Sequence, residues 1–404
     1  MEPLRVLYVH HAAPFGGASR SLYELIRAFP ERSVRPLVLT RHGQFLSILK
    51  AAGIEALGCG GVSQFDNTRY GHYRGARWLI LLREVAYLLT TLLGLLAARR
   101  RWGRVDLVHI NDLTLVPAIW LAKLLFRCPV VVHIRSVQMP LRGWRGCLLR
   151  AIFSRNVDRF IAIDETVRRS VDISLAPVVI HNGLSIAAGQ PESHAVSEGM
   201  FTVGMVGGLS RAKGCLEFVE AAKVCCDQQS GIRFVFVGQS MRPRSHLRDV
   251  VLGLLGLSQE IEEELRTRIA VWSLQSAVEF WPFTLELDKV YGKLDAICFP
   301  SYFDAPGRPI FEAALFGVPS IAAISDPTAD TIVDGLTGIV VSPRDPKQLA
   351  RAIQSLATDR EKCRAMGENA RKLALDHFNI EKNARRVLAL YRALAYTPEG
   401  SRTG

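Results

Sequence analysis

The sequence predicts an α/β protein built as two Rossmann-like domains with parallel sheets, and three observations carry that prediction. Short apolar runs of strand length alternate with helical periodicities along most of the chain, the rhythm of a parallel sheet with crossover helices. The series occurs twice, between residues 4 and 163 and again between 201 and 341. The 404 residues also exceed what one hydrophobic core usually supports, so two domains of about 200 residues are expected.

In order along the chain, the first series places strands at 4–10, 35–40, 105–110, 130–134 and 159–163. After the first of them, Leu22, Leu25, Ile26 and Phe29 recur at helical spacing. The second series places strands at 201–206, 233–237, 277–280, 296–299, 320–324 and 339–341, with Leu216, Phe218, Val219 and Ala222 marking a helix after its first strand. Between the two lies 184–199, rich in Ala, Ser, Gly and Glu and containing Pro191, which reads as a linker. The expected domains are 1–190 and 200–375. No repeat of solenoid period occurs.

Charge is placed unevenly. Residues 1–195 carry 25 Lys/Arg against 13 Asp/Glu, whereas 196–404 carry 25 of each, so the whole net charge of +12 belongs to the first half. A basic surface attracts polyanions such as anionic lipid headgroups or a phosphorylated substrate. Nucleic acid is disfavoured, because no recognition motif or aromatic-interleaved basic run accompanies the charge. A generally soluble basic surface is the alternative.

The 21 residues 78–98 contain only Arg83 and Glu84 as charges and run into Arg99, Arg100 and Arg101. Length and flank suit a transmembrane helix, but strand 105–110 follows at once and is expected in the same sheet as 4–10. The reading is therefore a helix partly buried in the first domain and partly against a membrane surface, with a fully buried crossover helix as the alternative. Segment 141–159 interleaves Trp144, Leu148, Leu149, Ile152 and Phe153 with Arg142, Arg145, Arg150 and Arg155, and suits the same surface. The eight cysteines show no Cys-x-x-Cys and no metal-ligand spacing, and residues 1–9 lack the long apolar core and cleavage site of a signal peptide. A cytoplasmic setting, peripheral on the inner face of the cell membrane, is expected.

Several motifs can carry chemistry. In 299–324, Asp304 lies in a Gly/Pro loop eight residues before Glu312, Pro309 suits the first turn of a helix and Gly317 its end. Such carboxylates accept hydrogen bonds from hydroxyl-rich ligands such as ribose or a hexose; on the residues alone, an ordinary capped helix explains them as well. Gly16 and Gly17 form a turn between a strand and a helix, where free backbone N–H groups favour phosphate. Gly207, Gly208, Arg211, Lys213 and Gly214 repeat that arrangement with cations added, a sensible place for a diphosphate; an exposed surface lysine is the plain alternative. His133 and Arg135 stand at the carboxyl end of a strand, where open α/β sheets place ligands, and a buried core histidine is equally compatible. His109, Asn111 and Asp112 end another strand in the same way and can shape an acceptor cleft. Arg308, beside Gly307, can reach a phosphate or pair with Asp304. Asn182-Gly183 reads as a turn.

Taken together, the Asp304-x7-Glu312 string with Pro300-Ser301 before it, Glu312-Ala313-Ala314 with Gly317-x-Pro319 after it, Lys213-Gly214, Gly16-Gly17 and Asn182-Gly183 resembles the retaining glycosyltransferases of family 4, which have the GT-B fold. The resemblance is strong over 200–375, moderate at Gly16-Gly17 and weak across the acceptor-side segments. It implies two Rossmann-like domains facing a cleft, the acceptor on the first and the nucleotide sugar on the second, with 376–404 forming a helix that crosses back to the first domain. It implies a donor that is a UDP- or GDP-sugar and no further cofactor. Lys213, the Gly16-Gly17 backbone and Arg211 would stabilise the leaving diphosphate, with Gly307 and Arg308 beside them. Glu312 would hold the ribose, and Asp304 with His133 or Arg135 would orient the sugar. No carboxylate is assigned as nucleophile. No Asp-x-Asp occurs in the chain, so metal-independent transfer is implied.

The sequence departs from the family in three places. Asp304 stands where the family usually has Glu, Gly208 where it has an arginine, and Pro327-Thr328-Ala329-Asp330-Thr331 where it often has Gly-Gly-x-x-Glu. The functional expectation is transfer to a lipid-linked or otherwise anionic acceptor in bacterial surface polysaccharide or glycolipid synthesis. The alternatives are a soluble transferase acting on a small acceptor, and a catalytically silent GT-B protein that binds or scaffolds.

Overall fold

A computed structural model describes residues 2–68, 79–184, 199–228, 231–238, 261–282, 284, 286 and 288–396. Most of the expected linker 184–199, Trp78 of the long apolar segment and parts of the loop 280–285 lie outside the described residues. The chain divides into two compact units, Met1–Ser185 with Phe378–Gly404, and Ile186–His377.

The first unit is a seven-stranded sheet in the order β3-β2-β1-β4-β5-β6-β7, every pair parallel. Its strands are β1 (Leu4–Val9), β2 (Val34–Arg41), β3 (Glu55–Cys59), β4 (Leu107–Ile110), β5 (Val130–Ile134), β6 (Arg159–Ala162) and β7 (Val178–Val179). Parallel strands covered on both faces become near-continuous apolar runs, as Leu4–Val9 and Val130–Ile134 do. Helices α1 (Gly17–Ala28), α2 (Gln44–Ala51), α3 (Leu79–Trp102), α4 (Val116–Phe126), α5 (Gly143–Asn156) and α6 (Glu165–Ser170) connect them. β3 and β7 are the two strands that sequence patterning misses. Glu-Ala-Leu-Gly-Cys has few β-branched or aromatic residues, and two residues are too short for any periodicity.

The second unit is a six-stranded parallel sheet, β10-β9-β8-β11-β12-β13. It comprises β8 (Phe201–Val206), β9 (Ile232–Val237), β10 (Val278–Trp281), β11 (Ala296–Phe299), β12 (Ser320–Ala323) and β13 (Gly338–Val341). Its helices are α7 (Cys215–Gln228), α8 (Ile261–Val271), α9 (Asp288–Tyr291), α10 (Arg308–Leu315), α11 (Pro346–Thr358) and α12 (Arg360–His377). Phe201, Phe218, Phe234 and Phe236 form the fully buried centre of its core. Asp345 caps α11 by accepting from the Gln348 N–H at 2.8 Å, and Pro346 fixes its first turn.

In both sheets the strand order reverses once, between β1 and β4 and between β8 and β11. At such a switch point the two connections leave in opposite directions and open a crevice at the carboxyl ends of the strands. The crevice of the second sheet is shaped by Gly214, whose φ of +80° and lack of a Cβ let the chain pass over Pro300; a Cβ there would lie 2.1 Å from the Pro300 carbonyl oxygen.

The last helix, α13 (Ile380–Ala395), starts at Asn379, whose side chain accepts from the Lys382 N–H, and packs on the first unit beside α1. Its Ala384, Val387, Leu388 and Tyr391 join the core formed by β1, β2, β4 and α1. Tyr391 is fully buried and its hydroxyl lies 2.6 Å from His109 Nδ1. Tyr391→Phe should leave that nitrogen without a partner and lower stability by about 1–3 kcal/mol, seen as an earlier urea midpoint at unchanged slope.

Candidate functional site

Chemistry-bearing residues gather at the carboxyl end of each sheet. In the first unit the centre is Asn111, fully buried just after β4. Its Oδ1 accepts from Arg135 Nε at 2.8 Å and from a terminal guanidinium nitrogen at 2.6 Å. That assigns the other end of the amide as donor, and Nδ2 lies 2.9 Å from His10 Nδ1. His10 is thereby held neutral with its proton on Nε2, which lies 2.9 Å from Ser19 Oγ; Ser19 in turn donates to the Pro14 carbonyl at 2.9 Å. One directional chain thus links the β5 end to the loop carrying Gly16 and Gly17.

Gly16 is the N-cap of α1 and offers no side-chain cap, and a Cβ on either glycine would meet nothing within 4 Å. The space beside the two glycines is therefore open and the helix start carries no side-chain cap, two features that an anion site requires. Arg135 makes a third anchor through the Asn182 side chain at 2.7 Å, so the Asn-Gly turn serves to aim a cation. Arg135 also approaches His133 Nδ1 at 3.3 Å. Accepting there places the His133 proton on Nε2, a buried donor with no hydrogen-bond partner among the described residues. Burial, with Arg135 nearby, pushes His10 and His133 well below the ordinary histidine range and His109 down to about 3.

In the second unit, β8 runs into Gly207 and Gly208, a single 3-10 turn Arg211–Lys213, Gly214 and then α7. Gly207 has φ +128°, and a Cβ on it would lie 3.1 Å from Lys213 Nζ, so the ammonium rests over the glycine backbone. No ion pair or hydrogen bond engages that ammonium among the described residues, and burial lowers its pKa. A desolvated cation without a counterion is a site for an anion. Arg211 is placed otherwise: its side chain is exposed and pairs with Glu264 on α8. Close by, the Tyr302 hydroxyl donates to Glu217 Oε1, and Glu217 Oε2 is buried without a partner among the described residues.

Glu312 is 4% exposed on α10, where Oε1 accepts from Arg308 Nε at 2.6 Å and Oε2 from the Tyr291 hydroxyl at 2.9 Å. Arg308 therefore meets Glu312 one turn along its own helix. Gly307 is the N-cap of α10 and gives it no side-chain cap. Asp304 sits in the loop after β11 at φ +49°, its Oδ1 accepting from the Ser325 N–H at 2.6 Å, which ties the loop to the end of β12. Gly317, with φ +71°, stands just past the end of α10.

Each unit thus assembles part of the predicted set. Gly16, Gly17, His133 and Arg135 are linked in the first, while Lys213 stands over Gly207 and Glu312, Arg308 and Tyr291 form a second cluster in the second unit. Sequence reasoning passed over His10, Ser19, Tyr291 and the clamp formed by Asn111. Asn111 had been singled out at its strand end without its clamp being foreseen, the His10-His11 pair at a strand end was a further signal, and Ser19 and Tyr291 are ordinary residues given meaning by their contacts.

Two family models match, "Glycosyltransferase Family 4" over residues 15–187 and "Glycosyl transferases group 1" over 189–373. Between them they take in nearly the whole chain, and it belongs to the family 4 glycosyltransferases with the GT-B fold. Among curated relatives, the chain is 38% identical over 106 residues to a D-inositol 3-phosphate glycosyltransferase of Corynebacterium kroppenstedtii, covering 26% of this chain and 23% of the relative. It is 21% identical over 207 residues to the capsular polysaccharide biosynthesis glycosyltransferase CapM of Staphylococcus aureus, covering 51% and 50%. It is 24% identical over 296 residues to the lipopolysaccharide core biosynthesis mannosyltransferase LpsB of Rhizobium meliloti, covering 70% and 78%. The chain spans half or less of the length of the first two. Among solved structures, Anabaena HepE in complex with UDP and glucose superposes with a TM-score of 0.70 at 20% identity, covering 97% of this chain and 100% of that one. A glycosyltransferase of Rickettsia africae superposes at 0.73 and 16% identity, covering 98% and 100%. At these identities the structures establish a shared fold.

Two outcomes are expected. Removing a desolvated ammonium that has no counterion among the described residues relieves a cost, so Lys213→Ala should leave the melting temperature unchanged or higher, read by thermal denaturation. Because His109 is neutral when folded but protonates near 6.5 when unfolded, its contribution is present above pH 6.5 and lost as pH falls toward 3. Moving from pH 7 to 5 should cost about 2 kcal/mol through His109, with His10 and His133 adding in the same direction; urea midpoints at the two pH values measure it.

Proposed function

We propose that the protein is a glycosyltransferase that moves a sugar from a nucleotide-diphosphate donor to a lipid-linked or otherwise anionic saccharide acceptor, with retention of configuration and without a metal ion. The observation that carries the reading is the Lys213 ammonium, without a partner among the described residues, over Gly207 at the start of α7, in the same unit as the buried Glu312. A diphosphate supplies the negative charge that this cation lacks, and the backbone N–H groups at the start of α7 add to it. The Glu312 carboxylate, oriented by Arg308 and Tyr291, is the kind of acceptor that ribose hydroxyls need, and the family resemblance gives it that role.

In the first unit, the α1 N-terminus at Gly16-Gly17 and the Arg135 guanidinium carry positive potential suited to a phosphate group, and the His133 Nε2–H is a donor suited to a sugar hydroxyl. Asp304 would orient the sugar, its reach being shorter than that of the family's usual Glu. Charge on the leaving group grows in the transition state, so these donors act on rate as well as on binding. Retention through a same-face reaction at the donor phosphate follows the family resemblance, and the sequence offers no Asp-x-Asp for a bridging metal. The acceptor class rests on the basic first half and on relatives named for capsule and lipopolysaccharide synthesis.

A second reading, a binding protein without transfer, is favoured by one observation: where the family has an arginine this chain has Gly208, and Arg211 is committed to Glu264. Release of nucleotide from a panel of UDP- and GDP-sugars separates the two. Steady release from one donor, reduced about a hundredfold in Lys213→Ala and unaffected by chelator, is the expected result, with the product's anomeric configuration read by NMR. Saturable binding without release in the presence of membrane-linked acceptors would favour the second reading, and absence of binding would overturn the assignment of the donor site.

A further inference from the structure

Helix α3 is inverted relative to an ordinary surface helix. Its inward side carries Glu84, Thr91, Leu95, Ala98 and Trp102, all buried, and two of these are polar anchors. Glu84 Oε2 accepts from the Gln64 N–H and Thr91 Oγ1 from the Ser63 N–H, both at 2.8 Å. Its outward side carries Leu82, Val85, Leu89, Leu93 and Leu96, recurring at steps of three and four, every one exposed. Only 22% of the most apolar stretch of Ile80–Trp102 is buried. A soluble crossover helix would place charges along that outer stripe.

The stripe continues across the neighbouring helices. α3 packs against α4 and α4 against α5. Trp120 and Leu124, 52% and 55% exposed, repeat at one turn on α4, and Trp144 and Leu148, 76% and 53% exposed, do so on α5. At the carboxyl termini of the same helices stand Arg100 and Arg101, Arg127 and Arg155, all exposed and without an ion-pair partner among the described residues. An apolar layer with outward tryptophans and a cationic edge matches one kind of partner: apolar chains below, anionic headgroups at the rim.

We infer that the outer face of α3, α4 and α5 docks this protein on an anionic lipid bilayer, lying in the interface rather than crossing it. Crossing is opposed by the sheet itself, since α3 connects β3 to β4 and both belong to the one seven-stranded sheet. The inference is independent of the donor chemistry: a loss of docking leaves nucleotide binding in place, whereas failure of the transferase reading leaves docking in place.

The test is flotation of the full chain with phosphatidylcholine vesicles, with and without phosphatidylglycerol, at low and high salt. Binding should require the anionic lipid and weaken with salt. The doubly substituted L89D/L93D should lose binding about tenfold or more, and Arg100→Ser with Arg101→Ser about tenfold, both with unchanged circular dichroism and nucleotide affinity. No flotation with either vesicle would overturn the proposal. So would binding that resists high salt and alkaline extraction, the mark of a span, or a dimer that L89D/L93D dissolves while vesicle binding is absent, the mark of a face covered by a second copy.

Discussion

At or just past the strand ends of the first sheet, His10, Asn111 and His133 are closed to water, and polar groups placed so have to find partners. In the first unit this falls to the amide of Asn111. With Oδ1 it accepts from the Arg135 guanidinium, and with Nδ2 it donates to His10, so the assignment of one end dictates the other. From this follow the neutral state of His10, the direction of the Ser19 hydroxyl and the distance between a fixed cation and the start of α1. Protonation of His10 would set two donors against each other at Nδ1, so the geometry of the network acts in the same direction as the burial that pushes this histidine below its ordinary range.

The second unit handles charge differently. Glu312 and Arg308 are paired and sheltered, with Tyr291 completing the carboxylate, an arrangement in which removing one partner strands the other. Lys213, in the same unit, has no ion-pair or hydrogen-bond partner among the described residues. The paired ion is the buried one, and the half-buried ammonium without a counterion among the described residues is the one on which the proposed donor site rests. Arg211 belongs to neither group, since α8 supplies Glu264 to hold it at the surface.

Helix α3 expresses a third constraint. A crossover from the edge strand β3 to β4 passes over β2 and β1, which calls for a long helix, and its inner side is held by hydrogen bonds from Glu84 and Thr91 rather than by apolar packing alone. Leucines on the outer side then contribute nothing to this unit's core. Their presence in a row, continued by Trp120 and Trp144 on the adjacent helices, is a property of the surface and not of the fold.

The sequence by itself determined the class of fold, because apolar runs buried on both faces and the helical stripes between them are local patterns that survive without tertiary information. Strands such as Leu4–Val9, Val130–Ile134 and Phe201–Val206 were legible for that reason, whereas Glu55–Cys59 and Val178–Val179 owe their strand character to a neighbour's hydrogen bonds. Lys213, Glu312, Asp304, Gly16 and Gly17 were readable as candidates because each stands at a strand-to-helix turn within one short motif. Which of them are paired was decided only in three dimensions. That Arg308 takes Glu312, one turn along its own helix, was settled by the packing there, whereas that Arg211 turns to Glu264 and that Asn111, His10 and Ser19 form one chain depends on side chains brought together from elements up to about a hundred residues apart. The long apolar segment makes the same point: periodicity cannot tell an inner leucine from an outer one when both sides are apolar, and only the sheet beneath α3 fixes which side faces out.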